Sequence, residues 1–217
     1  HVRSRRQRQM CIRDRLDIMA DKAKAMGKNP ADLRISMAFE NDGFSLDVRA
    51  GVVDKAKEYG MKIVIDDTLP ADLSDMSATL TKTKALKPDI LLVSGHSKGA
   101  ATAARQIEEM KIDVPLIAYT HCEAAKVQEK FPKSANGVMC PTQWLSNLPK
   151  GDDYFGDAAK WNSDFKKSYP EYSVVPYQTA QASAAVLVFK DAFERANSFD
   201  RDKVRDALAA TDMETFY

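Results

Sequence analysis

Between residues 16 and 144 the sequence alternates helical and extended apolar patterns without a break, and few folds accommodate that rhythm. "LDIMADKAKAMG" places Leu16, Met19, Ala20, Ala23 and Met26 on one helical face and closes at Gly27. The apolar run "RISMAF" at 34–39 reads as a strand. Helix "SLDVRAGVVDKAKEYG" follows, with Leu46, Ala50, Val53, Ala56 and Lys57 in register, and then strand "MKIVID" at 61–66. The next pair is helix "DMSATLTKTKALKP", stopped by Pro88, and strand "DILLVS" at 89–94, whose unbroken apolar run predicts burial on both faces. Helix "KGAATAARQIEEMK", strand "VPLIAYT", helix "EAAKVQEKF" and strand "GVMCPTQW" complete five strands separated by four helices. Strict alternation predicts an α/β fold, a doubly wound parallel sheet with helices on both faces joined by right-handed crossovers.

After Trp144 the rhythm stops. "LSNLPKGDDYFGD" is turn-rich, and helical patterns then follow at 155–168, 177–196 and 200–210 without an intervening strand. Such helices need a sheet to pack on, so 16–143 is expected to be one α/β domain and 144–217 a linker with the helices of an incomplete second lobe.

Composition narrows the function classes. The chain is 44% hydrophobic and 29% charged, as globular chains are. No apolar run reaches the ~18 residues that a membrane span requires. The opening "HVRSRRQRQMCIRDR" holds six Arg and one Asp; setting it aside moves the formal charge from +1 to −4, which disfavours a nucleic-acid partner. A basic arm is one reading of residues 1–15. The string "QMCIRDR" instead resembles translated sequencing-adapter read-through, so 1–15 is expected to be a non-native extension. Without Cys11, Cys122 and Cys140 remain as either a disulfide, which needs an oxidising compartment, or two buried thiols. The cysteines lack zinc-like spacing and neither nucleotide fingerprint occurs, so no metal or cofactor is expected.

In an open parallel sheet the ligand crevice lies beyond the carboxyl ends of the strands. Those ends carry "ENDGFS", "DDTLP", "SGHSKG", "YTHCE" and "TQWLS". "GHSKG" fits G-x-S-x-G at a strand-to-helix turn, the context of an α/β-hydrolase nucleophile at Ser97. Such an enzyme needs an acid and then a histidine further along, but the only later histidine is His121, at the next strand end. Glu40 and Asp42 read as surface carboxylates capping the next helix, with an acid pair as the alternative. Asp66 and Asp67 read as a solvated strand end, with a divalent-ion pair as the alternative. Tyr177, opening a long helix after Pro176, either covers a ligand or packs on its neighbours.

The segments "FENDGFSLDVRAGVVDKAKEYGMKIVIDDTLP", "LTKTKALKPDILLVSGHSKGAATAARQIEEM" and "PYQTAQASAAVLVFKDAFERA" together resemble the substrate-binding proteins of ABC importers, in the type I periplasmic binding fold of the leucine/isoleucine/valine-binding family. The resemblance runs over about residues 16–217. It implies a non-enzymatic, two-lobed protein of the periplasm or cell exterior, free or lipid-anchored, that closes on a small solute and delivers it to a membrane permease. The chain is then a fragment lacking its signal peptide and part of the first lobe. The resemblance also implies ligand positions at Phe44, His96, Ser97, Thr120, His121 and Tyr177. Amino-acid binders of the family place an acid where Thr120 or His121 stands here, so a carboxylate, amide or aromatic acid is expected ahead of an α-amino acid. A hydrolase fragment and the ligand-sensing domain of a receptor or repressor remain the alternatives.

Overall fold

The computed structural model describes residues 15–217. The extension expected at 1–15 falls, apart from Arg15, outside the described residues, as does Cys11; Arg15 itself is helical and buried. The chain forms two compact units, one running through Pro141 and the other spanning Thr142–Tyr217.

The first unit is the doubly wound layer. Strands β1 (Arg34–Glu40), β2 (Lys62–Leu69), β3 (Ile90–Ser94) and β4 (Leu116–Tyr119) are all parallel and lie in the order β2-β1-β3-β4. Helices α1 (15–25), α2 (Gly43–Tyr59), α3 (Ser77–Leu86), α4 (Ser97–Glu109), α5 (Ala125–Lys130) and α6 (Pro132–Ala135) surround it. Successive strand residues point to opposite faces, and the burial follows that rule. Ile35, Met37, Phe39, Ile90 and Leu92 pack with Leu16, Met19, Ala20 and Ala23 of α1 and with α2. Ala38, Leu91 and Val93 pack with Leu80 of α3 and Ala100, Ala103, Ala104 and Ile107 of α4. Every residue of β3 is buried, as its continuous apolar run predicts.

Two sequence expectations are corrected here. The fifth strand, "GVMCPTQW", reduces to one parallel bridge between Ala118 and Met139. Pro141 has no N–H to continue a ladder, and Cys140 is drawn aside to Cys122. In α2 the buried row is Val48, Val52 and Ala56, with Ser45 and Gly51, whereas Leu46 is exposed and Val53 only half-buried. Asp42 caps α2 and thereby fixes its phase, and the row at i, i+4 and i+8 then faces the sheet. Gly60 ends this helix in the left-handed region, at φ 75°, where a side chain would be strained.

The second unit is not purely helical. A short antiparallel hairpin, β5 (Gly151–Asp152) with β6 (Gly156–Asp157), precedes α7 (Ala158–Ser168), α8 (Tyr177–Ala196) and α9 (Arg201–Ala209). The helix expected from 155 starts at Ala158 because Asp157 caps it, its side chain accepting the Lys160 N–H. These helices bury part of their apolar surface within the unit. Trp144, Trp161 and Phe216 form a ring cluster with Trp161 stacked on Phe216 at 4.9 Å, and the Trp144 indole N–H donates to the Phe216 carbonyl at 2.9 Å. The outer face of α8 still exposes Val186 and Phe189. Among the described residues no helix is long and apolar enough to cross a membrane.

Candidate functional site

The order β2-β1-β3-β4 reverses direction between β1 and β3, and α2 and α4 leave those strands on opposite faces of the sheet. This switch point is where a doubly wound sheet opens a crevice. Glu40 is the last residue of β1 and is buried to 1% exposure; its Oε1 accepts the His96 N–H at 3.2 Å. Asp42 Oδ1 accepts the N–H groups of Phe44 at 2.8 Å and Ser45 at 3.1 Å, which fixes Phe44 in the first turn of α2.

The glycines of "GHSKG" follow from Glu40. A Cβ on Gly95 would lie 2.3 Å from Glu40 Oε1, and one on Gly99 would lie 2.6 Å from it. Both positions must stay bare for the carboxylate to sit beneath the turn. The motif is thereby accounted for without a nucleophile, and Ser97 stands exposed as the first residue of α4. Glu40 is thus a buried carboxylate and not the surface one expected from the sequence; only Asp42 acts as a cap.

Three rings line the edge. Phe44 and His96 have centroids 6.1 Å apart, and His96 and His121 are 6.0 Å apart. His96 is mostly exposed, with Nε2 3.8 Å from Asp42 Oδ1. His121 follows β4 at φ 59°, the left-handed region in which residues of binding sites are often held. Its Nδ1 lies 3.9 Å from Glu123 Oε1. Burial, with the neighbouring His96 acting the same way, holds the His121 pKa below the ordinary imidazole value, which favours the neutral ring with one donor and one acceptor. Burial likewise pushes the Glu123 carboxyl up, and it pushes Glu40 up against the opposing His96 N–H. At Asp42 burial acts upward too, but the Ser45 N–H and hydroxyl and the Phe44 N–H outweigh it and keep the carboxyl below its usual range.

The six residues suggested by the sequence are therefore not equivalent. Phe44, His96 and His121 come together, with Ser97 beside them on the first turn of α4. Thr120 is buried and spends its hydroxyl on Gly95, accepting its N–H at 2.9 Å and donating to its carbonyl at 2.5 Å; it ties the end of β3 to that of β4. Tyr177 belongs to the second unit, where it packs against the ring cluster. Cys122 and Cys140 are joined as a disulfide with Cα atoms 5.5 Å apart, so with Glu123 they offer no thiolate for a metal. The Asp66–Asp67 alternative dissolves, since Asp66 pairs with Arg49 and Asp67 with Lys82 at 2.6 Å and Thr79 at 2.5 Å. One residue was missed, Glu123, which stands in the "YTHCE" loop; Glu40 was read as a surface carboxylate or half of an acid pair, although it is an acid at a strand end facing a Gly-x-x-x-Gly turn.

The switch-point edge of the parallel sheet thus gathers three rings and buried acids in the crevice where sheets of this kind hold ligands. The sequence profile described as Periplasmic binding protein matches residues 17–217, and the chain belongs to that family. Among curated relatives, Leu/Ile/Val-binding protein homolog 7 of Brucella abortus is 23% identical over 199 residues, which make up 88% of this chain and 48% of the relative. Among solved structures, a leucine-binding protein from Thermotoga maritima is 20% identical, with a TM-score of 0.71 over 89% of this chain and 52% of that one. A solute-binding protein of an ABC transporter from R. palustris, solved in complex with benzoate, is 15% identical with a TM-score of 0.74, over 95% of this chain and 53% of that one. The fold is that of type I periplasmic binding proteins, and the chain spans about half the length of the relatives it matches.

Proposed function

We propose that this chain is the ligand-receiving part of the solute-binding component of an ABC importer. It works in the periplasm or at the cell exterior, captures a small amino acid or organic or aromatic acid between two lobes, and hands it to a membrane permease. The observation that carries this reading is the row Phe44–His96–His121 at the switch-point edge. Ring faces receive an apolar body, and a largely buried imidazole at His121 donates to a carboxylate. Where an amino-acid binder of this family has an acid, Thr120 or His121 stands here, and Thr120 gives its hydroxyl to Gly95, which favours an organic or aromatic acid over an α-amino acid. The names of the relatives, one for leucine, isoleucine and valine and one solved with benzoate, support a ligand of this size. Capture proceeds by hinge closure of two rigid lobes, and no bond is made or broken.

Calorimetry tests the reading, with benzoate, a dihydroxybenzoate, a short aliphatic acid and leucine titrated into this chain and into a protein extended to the length of its relatives. An acid is expected to bind the longer protein, and His121→Ala or Phe44→Ala to weaken it at least tenfold. Tight leucine binding that is indifferent to both substitutions would overturn it. Ser97→Ala is expected to leave any turnover of a chromogenic ester unchanged; its loss would restore the hydrolase.

A further inference from the structure

The two acids at the switch point are each half satisfied. One oxygen of each is held by backbone N–H groups at the start of a helix: Glu40 Oε1 by His96, and Asp42 Oδ1 by Phe44 and Ser45. The other oxygens, Glu40 Oε2 and Asp42 Oδ2, are buried and have no hydrogen-bond partner among the described residues. Glu40 is 1% exposed, so its second oxygen is withdrawn from solvent. One ligand atom from each of Glu40, Asp42 and His96 lies within 4.8 Å of the others. His96, at 58% side-chain exposure, leaves the cluster open on one side. A buried carboxylate oxygen without a partner is strongly disfavoured.

We propose that Glu40 Oε2, Asp42 Oδ2 and a ring nitrogen of His96 bind a divalent first-row transition-metal ion. Two carboxylate oxygens with one imidazole nitrogen suit Zn²⁺, Co²⁺ or Mn²⁺. Ca²⁺ and Mg²⁺ prefer all-oxygen sets, and soft ions prefer thiolates. The backbone N–H groups on the inner oxygens supply the outer shell that orients such ligands. Gly95 and Gly99 supply the room for Glu40 to take part. A proton shared by Glu40 and Asp42 is the competing occupant. The inference does not depend on the identity of the solute.

The test uses chelator-treated full chain carrying His1→Ala and Cys11→Ser, which removes side-chain ligands of the N-terminal stretch. Zn²⁺ and Co²⁺ are titrated by calorimetry, and Co²⁺ also by its visible spectrum. One ion per chain is expected, with little response to Ca²⁺ or Mg²⁺. His96→Ala, at an exposed position that leaves the fold intact, is expected to weaken binding at least tenfold. Asp42→Asn, which keeps the helix cap, is expected to do the same. His121→Ala is expected to leave the affinity within twofold. Absence of Zn²⁺ binding up to millimolar concentration, or binding unchanged by His96→Ala and Asp42→Asn, overturns the site in favour of the shared proton. A loss with His121→Ala as large as with His96→Ala moves the ion to His121 and Glu123 and also overturns it. Solute titrations run with and without the metal separate this outcome from a failure of the transport reading.

Discussion

In the first unit strands of alternating side-chain direction feed two aliphatic layers, Met37 and Leu92 on one face and Leu91 and Val93 on the other. The second unit buries a few large rings instead, Trp144, Trp161 and Phe216, drawn from positions far apart in the chain. The sheet holds its residues through a continuous parallel ladder, so the ends of β1, β3 and β4 are fixed relative to one another. The ring cluster holds its members chiefly by shape and by one indole hydrogen bond. The candidate site lies where the backbone is pinned: Glu40 ends β1, Asp42 and Phe44 come just after it, and His96 and His121 follow β3 and β4. Rigid elements position a binding constellation better than packed rings do.

Removing a ring should strain this contrast most. Phe216→Ala deletes a fully buried side chain stacked on Trp161 and is expected to cost about 3–5 kcal/mol in the second unit. Both tryptophans of the chain lie there, so tryptophan fluorescence should report early unfolding while the far-UV signal of the sheet persists. A single transition at unchanged denaturant would show that the units do not differ in this way.

Opening the disulfide acts on the other unit. Cys122→Ser with Cys140→Ser releases a loop closed over 18 residues and is expected to destabilise the first unit by about 3 kcal/mol, with tryptophan fluorescence unmoved. Urea denaturation followed by far-UV circular dichroism checks it. Gly95→Ala drives a Cβ onto Glu40 and should cost about 1–3 kcal/mol. The same substitution in a Glu40→Ala background should cost far less, and an additive double-mutant cycle would refute the seating of Glu40.

The smallest effect expected is a pH dependence. Although burial works against it, the hydrogen bonds of Lys82 and Thr79 hold the Asp67 carboxyl below its ordinary value in the folded chain. Its contribution is complete above the unfolded pKa of about 3.9 and is lost as pH falls through the lower folded value. Asp67→Asn should therefore lower stability by no more than about 1 kcal/mol at neutral pH and by less at pH 2. Thermal melts at the two pH values measure the difference, and an equal loss at both would remove the charge from the explanation.

The legibility of the sequence followed the range of the forces involved. Leu16, Met19, Ala20 and Ala23 read correctly as one face because helical spacing is local, and the buried run of β3 announced itself by composition. The phase of α2 was misread because the side-chain cap at Asp42 sets it. The fifth strand was overestimated because apolar residues around Pro141 look like a strand, while pairing needs an N–H that proline lacks. At the site, Phe44, His96 and His121 were legible as residues at strand ends. That Thr120 faces Gly95 was not.

By itself the sequence determined an α/β layer, its helical sequel and the loops that could carry a ligand, because period and turn chemistry act over a few residues. Only the tertiary structure decided that Glu40 lies buried beneath Gly95 and Gly99, with Asp42 and His96 beside it. Those five positions meet because β1 and β3, separated in sequence by α2, β2 and α3, are neighbours in the sheet, and hydrogen bonding between distant segments leaves no local periodic trace in the sequence.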